Sequence, residues 1–486
     1  MEDRLYQDRL TQIKFLEDKG INPYPQQPPK RSHHNKEVIE NFEKLEDKTV
    51  DVVGRIMGLR GHGKMSFVDI EDESGKLQLM INEGVIGEEK MEIFSKGFSI
   101  GDFVAVEGKV FKTKAGEVSV NTETITMLSK SLLPVPPRKT QAKDVLSDPE
   151  VRYRQRYLDL LVNPEVMQRF KIRSQIVQLM REKFLELDCW EVETPILDTV
   201  YGGASARPFV THHNTLDIDL YLRISNELYL KKLIVGGFEG VFEFSRDFRN
   251  EGMDYKHNPE FTQVELYKAY ADYNWQMEMT EKLMSDIAMK LVGTTKVTYQ
   301  GKEIELKAPW KRLSIYDGIK QEMGIDFEKL SPEEIKKLAK KEGITESDPG
   351  YIALKLFDLY VESKLVDPTF VIDYPESTSP LTKKHRSKEG LVERFECFVA
   401  GMEMMNCYTE LNDSRKQRAN FEEEVKRKKA GDEEAMPMDE DFIKAMEYGM
   451  PPMGGIGISI DRWCMILTDA DHIREVLTFP LMKPIQ

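Results

Sequence analysis

Apolar and polar positions recur with two different periods along the chain, and the change of period divides it. Near the start, Leu5, Leu10, Ile13 and Leu16 fall at helical spacing over residues 2–19, and Gly20 suits a helix C-terminus. The proline-rich run Asn22-Pro23-Tyr24-Pro25 and then Pro28-Pro29 predicts extended chain. From about residue 48 the period shortens to two. Residues 50–56, 66–70, 76–81, 103–108 and 118–120 read as short β-strands punctuated by Gly, Asp and Ser. So many strands in so short a stretch predict a small β-barrel. An OB-fold is one candidate, another small barrel or sandwich the alternative.

Leu133-Pro134-Val135-Pro136-Pro137-Arg138-Lys139 reads as a stiff linker. Helical periodicity then returns over Phe170 to Leu187, with Ile172, Ile176, Leu179, Met180 and Phe184 on one side. Beyond it, strands and helices mix without regular βαβ alternation, which predicts an α+β domain built on an antiparallel sheet. Ser331-Pro332-Glu333-Glu334 combines an N-cap serine, a proline at the first helical position and a capping-box glutamate. It opens a lysine-rich helix inside what reads as a helical insertion near 318–365. The expected plan is an N-terminal helix and linker (1–46), a barrel (47–132), a linker (133–150) and a large domain (151–486).

Composition narrows the class. The chain has 486 residues, 40% of them apolar and 31% charged, as in globular proteins. No apolar run approaches the ~20 residues that span a bilayer, so no membrane association is expected. The charged start lacks the apolar core of a signal peptide, which makes the cytoplasm the default location. Cys189, Cys397, Cys407 and Cys464 show neither CxxC nor zinc spacing and read as free core thiols. The net charge of −15 argues against nucleic acid as a partner of the whole surface. A local basic site can coexist with an acidic remainder, so particular residues must decide.

Two stretches carry chemistry. Phe242–Gly252 and Lys256–Tyr267 read as β-runs flanking a polar loop. On strands, Arg249 and Glu251 would share one face, and so would Phe261, Gln263, Glu265 and Tyr267. Such a hairpin lines a pocket with an arginine, carboxylates and aromatics, or else presents an ordinary solvated face. In Gly449–Trp463, the glycines of Gly454-Gly455-Ile456-Gly457 permit close approach before helical texture begins near Trp463. The GKS/T ending of a P-loop is absent, and a tight strand–helix junction is the plainer reading.

Together these stretches resemble two signature motifs of the class II aminoacyl-tRNA synthetases, the Phe-Arg-Asn-Glu hairpin and the Gly-x-Gly-x-x-x-Asp-Arg strand–helix. The helix 170–187 running into Glu191–Leu197, with Pro195 ending the strand, resembles more loosely the family's dimer-interface motif. Residues 152–160, 202–209, 222–230 and 406–413 are similar to the lysine-specific branch. The resemblance spans nearly the whole chain and is weakest over 318–365.

The resemblance implies an OB-fold anticodon-binding domain followed by a class II catalytic domain, acting as a homodimer on ATP, L-lysine and the tRNA for lysine. It implies that Arg249 holds the α-phosphate and the amino-acid carboxylate, a double task suited to a planar, always-charged fork. Arg462 would stack on adenine opposite Phe261 and reach the γ-phosphate. Glu251, His257 and Asn258 would complete the nucleotide site. Lys256 stands where many members carry arginine, which implies a weaker phosphate contact there. Glu265, Glu410 and Tyr267 would hold the ε-ammonium, and Glu227 and the Gly203 backbone the α-ammonium, with Asn406 and Tyr408 completing the pocket. Arg60, Phe67, Gln78 and Glu117 would read the anticodon, with Phe67 as a stacking platform; taken alone, Phe67 reads more readily as a core strand residue.

Magnesium ligation by Glu396 and Glu403 is also implied, and the spacing supports it. In a hairpin turning at Ala400-Gly401, residue 398 would face 403 and residue 396 would face 405, making the two glutamates same-face diagonal neighbours. Rival readings are aspartyl- or asparaginyl-tRNA synthetases, whose pockets need cationic or amide groups where this chain has Glu265 and Glu410. A paralogue that lysylates a translation factor would lack the barrel. A catalytically dead paralogue would have lost Arg249, Arg462 or the glutamate pair.

Overall fold

The computed structural model describes residues 2–61, 63–136 and 146–485. The chain divides into two compact units, Met1–Val145 and Leu146–Gln486. Half of the linker expected over 133–150, residues 137–145, lies outside the described residues. Among the described residues no helix is long and apolar enough to cross a membrane, and all four cysteines are buried and free.

In the first unit, β1 (Thr49–Arg60), β2 (Met65–Glu71), β3 (Lys76–Asn82), β4 (Phe103–Lys112) and β5 (Val118–Ser129) close a barrel in the order β1-β2-β3-β5-β4. The strands run several residues beyond the sequence expectation, because ladder pairing carries polar residues that alternation alone does not mark. Two short helices, Glu83–Ile86 and Glu88–Gly97, lie between β3 and β4. Val50, Val52, Ile56, Val68, Ile70, Leu79 and Val106 point inward, and Leu16 of the N-terminal helix Glu2–Asp18 packs among them.

The second unit is built on one eight-stranded sheet. Its strands are β6 (Trp190–Glu191), β7 (Gly240–Phe248), β8 (Glu260–Ala269), β9 (Lys311–Ser314), β10 (Thr369–Pro375), β11 (Leu391–Val399), β12 (Met402–Thr409) and β13 (Met453–Ser459), in the order β9-β10-β11-β12-β13-β8-β7-β6. Only the two edge pairings, β9–β10 and β7–β6, are parallel. One face packs against the helices Pro164–Glu186, Tyr273–Val292 and Ile460–Thr468, burying Ile176, Met180, Phe184, Met284, Trp463 and Ile466 with Phe395 and Leu266. The first of these helices begins six residues before the expected Phe170, at Pro164, a residue favoured in the first turn. Asp272 caps the second by accepting from the amides of Asn274 and Trp275.

The segment after β9 folds as helices Ile315–Met323, Pro332–Lys341 and Pro349–Tyr360 around an apolar core shared with Leu313 of β9, Val371 of β10 and Phe398 of β11, with the Ser331–Glu334 capping box formed. The register of β11 and β12 differs from expectation. Phe398 faces Glu403, but Glu396 faces Asn406 rather than residue 405, because a β-bulge intervenes and Met404 and Met405 both turn into the core.

Candidate active site

The free face of the central strands forms the floor of a cavity of about 380 Å³. Alternation sets what reaches it. Phe261, Gln263, Glu265 and Tyr267 come from β8, Gly455, Gly457 and Ser459 from β13, Arg394 and Glu396 from β11, and Glu403, Asn406 and Tyr408 from β12. On a regular strand Glu403 could not share a face with Asn406 and Tyr408, since their positions differ by an odd number. The bulge at Met404 restores the match.

Arg249 and Glu251 lie in the loop that follows β7, not on the strand as expected; the β7–β8 ladder ends at Phe248↔Glu260. The loop leaves the Arg249 guanidinium 5.0 Å from the centroid of the Phe261 ring, and among the described residues no carboxylate pairs with it. Phe261 therefore meets Arg249 here, while Arg462 donates to the Glu403 carbonyl, 3.7 Å from the Glu403 carboxylate. Asp254 organises the loop, accepting from the backbone amides of Lys256 and His257, with the His257 ring at 2.7 Å. Lys256 is engaged by Glu362 at 3.1 Å. Asn258 is buried, donates to Glu260 O and leaves its Oδ1 without a partner. At this end of the cavity Arg249, Arg462, Lys256 and His257 gather, as a polyanion requires.

The other end is acidic. Glu265 is buried and accepts from Ser225, Gln263 and Tyr267, the last at 2.8 Å. Burial, then the nearby Glu227 and Asp247, push its carboxyl up to about 8. Glu410 is fully buried, and burial with Glu227 raises it to about 8 against the opposing pull of Lys231. It does not line the open cavity; it ion-pairs with Lys231, which also pairs with Glu227. Neither of its oxygens has a hydrogen-bond partner among the described residues, and only Oε2 takes part in the ion pair. Gly455 makes this packing fit, since a Cβ there would stand 2.2 Å from Glu410 Oε1 and 2.3 Å from the Tyr267 ring. Gly203 likewise has φ +84° and a Cβ position 2.9 Å from Glu227.

Glu396 is paired with Arg394, whose guanidinium lies 4.4 Å from the Tyr374 ring. Burial and the neighbouring Glu403 push the Glu396 carboxyl up to about 7, although Arg394 opposes the shift. Two neighbouring carboxylates supply the hard oxygen donors that suit a magnesium ion, with Arg394 and Arg462 beside them. Among the described residues no third acidic or histidine ligand joins them, so phosphate oxygens and water would complete the shell.

Lys231 and Arg394 escaped the sequence analysis. The signal for Lys231 was its spacing of four from Glu227 on a helix; for Arg394 it was alternation with Glu396.

The four barrel residues share the outer face. Arg60 pairs across to Phe67 in the ladder and donates to Asp69 at 2.8 Å. Gln78 bridges Glu117, at 3.0 Å, and Ser119, at 2.9 Å. Phe67 is half-buried and points away from the core to which Val68 and Ile70 belong. The core reading of Phe67 is thereby overturned, since it has the outward parity of β2.

Residues 148–483 match the family described as tRNA synthetases class II (D, K and N), and residues 50–128 match the OB-fold nucleic acid binding domain. Similar proteins include the lysine–tRNA ligase of Clostridium novyi (strain NT), 49% identical over 99% of this chain and 94% of its own length. The lysine–tRNA ligase of Clostridium tetani (strain Massachusetts / E88) is also 49% identical, over 99% and 96%.

Proposed function

The chain belongs to the class II tRNA synthetases of the D, K and N group, and from that premise we propose that it is a lysine–tRNA ligase. It activates L-lysine with ATP, giving lysyl-adenylate and pyrophosphate, and then passes lysine to the 3′ end of its tRNA. The observation that carries this reading is the polarity of the cavity. Cationic side chains gather at one end, and buried carboxyls lacking a full set of counter-charges, Glu265 and Glu410 with Glu227, at the other. Aspartate would meet repulsion there and asparagine no partner charge; lysine supplies the cation.

Activation joins a carboxylate oxygen of lysine to the α-phosphorus while the bond to pyrophosphate breaks in line. Arg249 holds the α-phosphate and the attacking carboxylate together. Phe261 and Arg462 take the two faces of adenine, which requires Arg249 to leave the Phe261 ring as nucleotide enters. Glu251, His257 and Asn258 complete the nucleotide site, and the Asn258 Oδ1 left unpartnered supports a polar contact there. Glu265, Glu410 and Tyr267 receive the ε-ammonium; Glu227 and the Gly203 backbone receive the α-ammonium, beside Asn406 and Tyr408. Glu396 and Glu403 would hold magnesium, which neutralises phosphate charge when bound. A terminal ribose hydroxyl of tRNA then attacks the lysyl carbonyl and AMP leaves.

In the barrel, Phe67 stacks a base of the anticodon while Arg60, Gln78 and Glu117 read its neighbours. The domain plan of residues 47–132 for anticodon binding and 151–486 for catalysis follows. A homodimer through the region of Pro195 is supported by exposed apolar side chains at Trp190, Ile196, Leu197, Val210 and Leu216. The cytoplasm, where tRNA and ATP meet, is the place of work.

ATP–pyrophosphate exchange with each of the twenty amino acids tests the reading. Exchange is expected with lysine alone. Exchange with aspartate or asparagine, and none with lysine, would refute it.

A further inference from the structure

The helix Glu227–Val235 turns one lysine inward. Lys231 lies one turn beyond Glu227 on the same helix face. Its side chain is 1% exposed, and its ammonium pairs with one oxygen of Glu227 and one of Glu410. It also stands 5.9 Å from the centroid of the Tyr267 ring. Burial works against the charge, but the two carboxylates outweigh it and hold the ammonium above the ordinary lysine range. The titratable groups gathered around it are Glu227 on its own helix, Glu265 and Tyr267 on β8, and Tyr408 and Glu410 at the end of β12.

A carboxylate offers two oxygens, and fixing one on an internal cation gives the other a defined direction. Glu227 reaches the cavity wall. Among the described residues neither Glu410 oxygen has a hydrogen-bond partner; Oε2 ion-pairs with Lys231, and Oε1 lies against Gly455, which itself lines the cavity. On the lysine-binding reading of this cavity, we propose that Lys231 is the positioning residue of the amino-acid site, clamping Glu227 and Glu410 by one oxygen each and leaving the other oxygens to the two ammonium groups of the substrate. Charge then balances by count. The three carboxylates of Glu227, Glu265 and Glu410 meet one internal ammonium and two from lysine. An amino acid with a neutral side chain leaves one buried carboxylate unmatched, and an acidic one adds a further negative charge.

Lys231 pulls the Glu410 carboxyl down against burial and Glu227, so without it the carboxyls hold their protons more tightly than in the wild type and ionise only at higher pH. A protonated carboxyl presents a hydroxyl where the substrate brings a cation.

Lys231→Met keeps the length and apolar volume of the side chain and removes its charge. The lysine KM of this variant is expected to rise at least about thirtyfold at pH 7, with the ATP KM unchanged. The defect should shrink from pH 6.5 to 8.5 as the carboxyls ionise, more steeply than any change in the wild type. Lys231→Arg restores the charge and should recover part of the loss. Glu410→Gln with and without Lys231→Met provides a second test in which the buried pair is removed together. In that background Lys231→Met should raise the lysine KM by clearly less than it does alone, since only the clamp on Glu227 remains to be lost.

Lysine KM and pH dependence like the wild type in a folded Lys231→Met would overturn the role of Lys231 while leaving the cavity reading intact. A further thirtyfold rise on the Glu410→Gln background would do the same, since Lys231 would then act independently of Glu410. A wild type that does not activate lysine overturns both.

Discussion

The catalytic cavity and the outer face of the barrel solve the same problem, presenting polar side chains to a ligand, in opposite ways. On the barrel, strand parity separates the tasks: Val68 and Ile70 hold the core while Phe67 and Asp69 on the same strand face outward. In the cavity the tasks merge. Glu265, Glu410, Tyr267 and Lys231 are ligand-facing groups or their direct partners, and all are buried. A separable surface can lose one contact without disturbing the fold. A merged one stores unbalanced charge inside the protein, and any substitution there alters both binding and the state of its neighbours.

Arg249→Ala should give the largest effect. Among the described residues its guanidinium has no carboxylate partner to lose, so the fold should hold while ATP–pyrophosphate exchange falls on the order of 10³-fold or more. An unchanged melting temperature with lost exchange is the expected pair of readings. A large fall in melting temperature would show that Arg249 belongs to the merged interior after all.

Glu265→Gln comes next. It should raise the lysine KM by about 30-fold to 10³-fold, the scale of one lost buried charge partner, and the ATP KM far less. In the wild type, Glu265 and Glu410, raised to about 8, are largely protonated below that pH, and binding an ammonium requires them ionised. Lysine KM should therefore rise as pH falls from 8 to 6. The sign for stability follows: the free protein holds protons that the unfolded chain sheds above about 4.5, so these two groups make the fold less stable as pH rises from about 4.5 to 8. A wild-type lysine KM that is flat across this range, or equal rises for lysine and ATP in the variant, would show that the acidic end is not where lysine's cation lies.

Phe67→Ala should give the smallest effect. With an outward ring, loss of one base stack lowers the tRNA step by about 1–3 kcal/mol, or roughly tenfold to a hundredfold. Lysine activation and melting should stay close to wild type. A melting transition lowered by the several kcal/mol of a core cavity would erase the contrast between the two regions.

Much of this was legible because parity and periodicity are local. The barrel strands, the capping box at Ser331 and the shared face of Phe261, Gln263, Glu265 and Tyr267 follow from spacing alone. What sequence could not supply were events set by tertiary neighbours. Arg249 leaves the strand because the β7–β8 ladder ends at Phe248. Lys231 looks like half of an unremarkable lysine pair in Leu230-Lys231-Lys232-Leu233, and only packing decides that one lysine is buried between carboxylates while the other pairs with Asp441. The bulge has no composition signature beyond two adjacent methionines.

That bulge bears on how such a chain tolerates insertions and deletions. Losing Met404 would restore simple alternation and still leave Glu403, Asn406 and Tyr408 on one side of the sheet. Gaining a single residue between Asn406 and Tyr408, with no second bulge to absorb it, would turn Tyr408 into the apolar layer. The strand therefore has a directional reading frame, forgiving of one loss at one place and unforgiving of gains beside it. Among descendants of this chain, length variation in β12 should survive selection as shortening at the methionine pair.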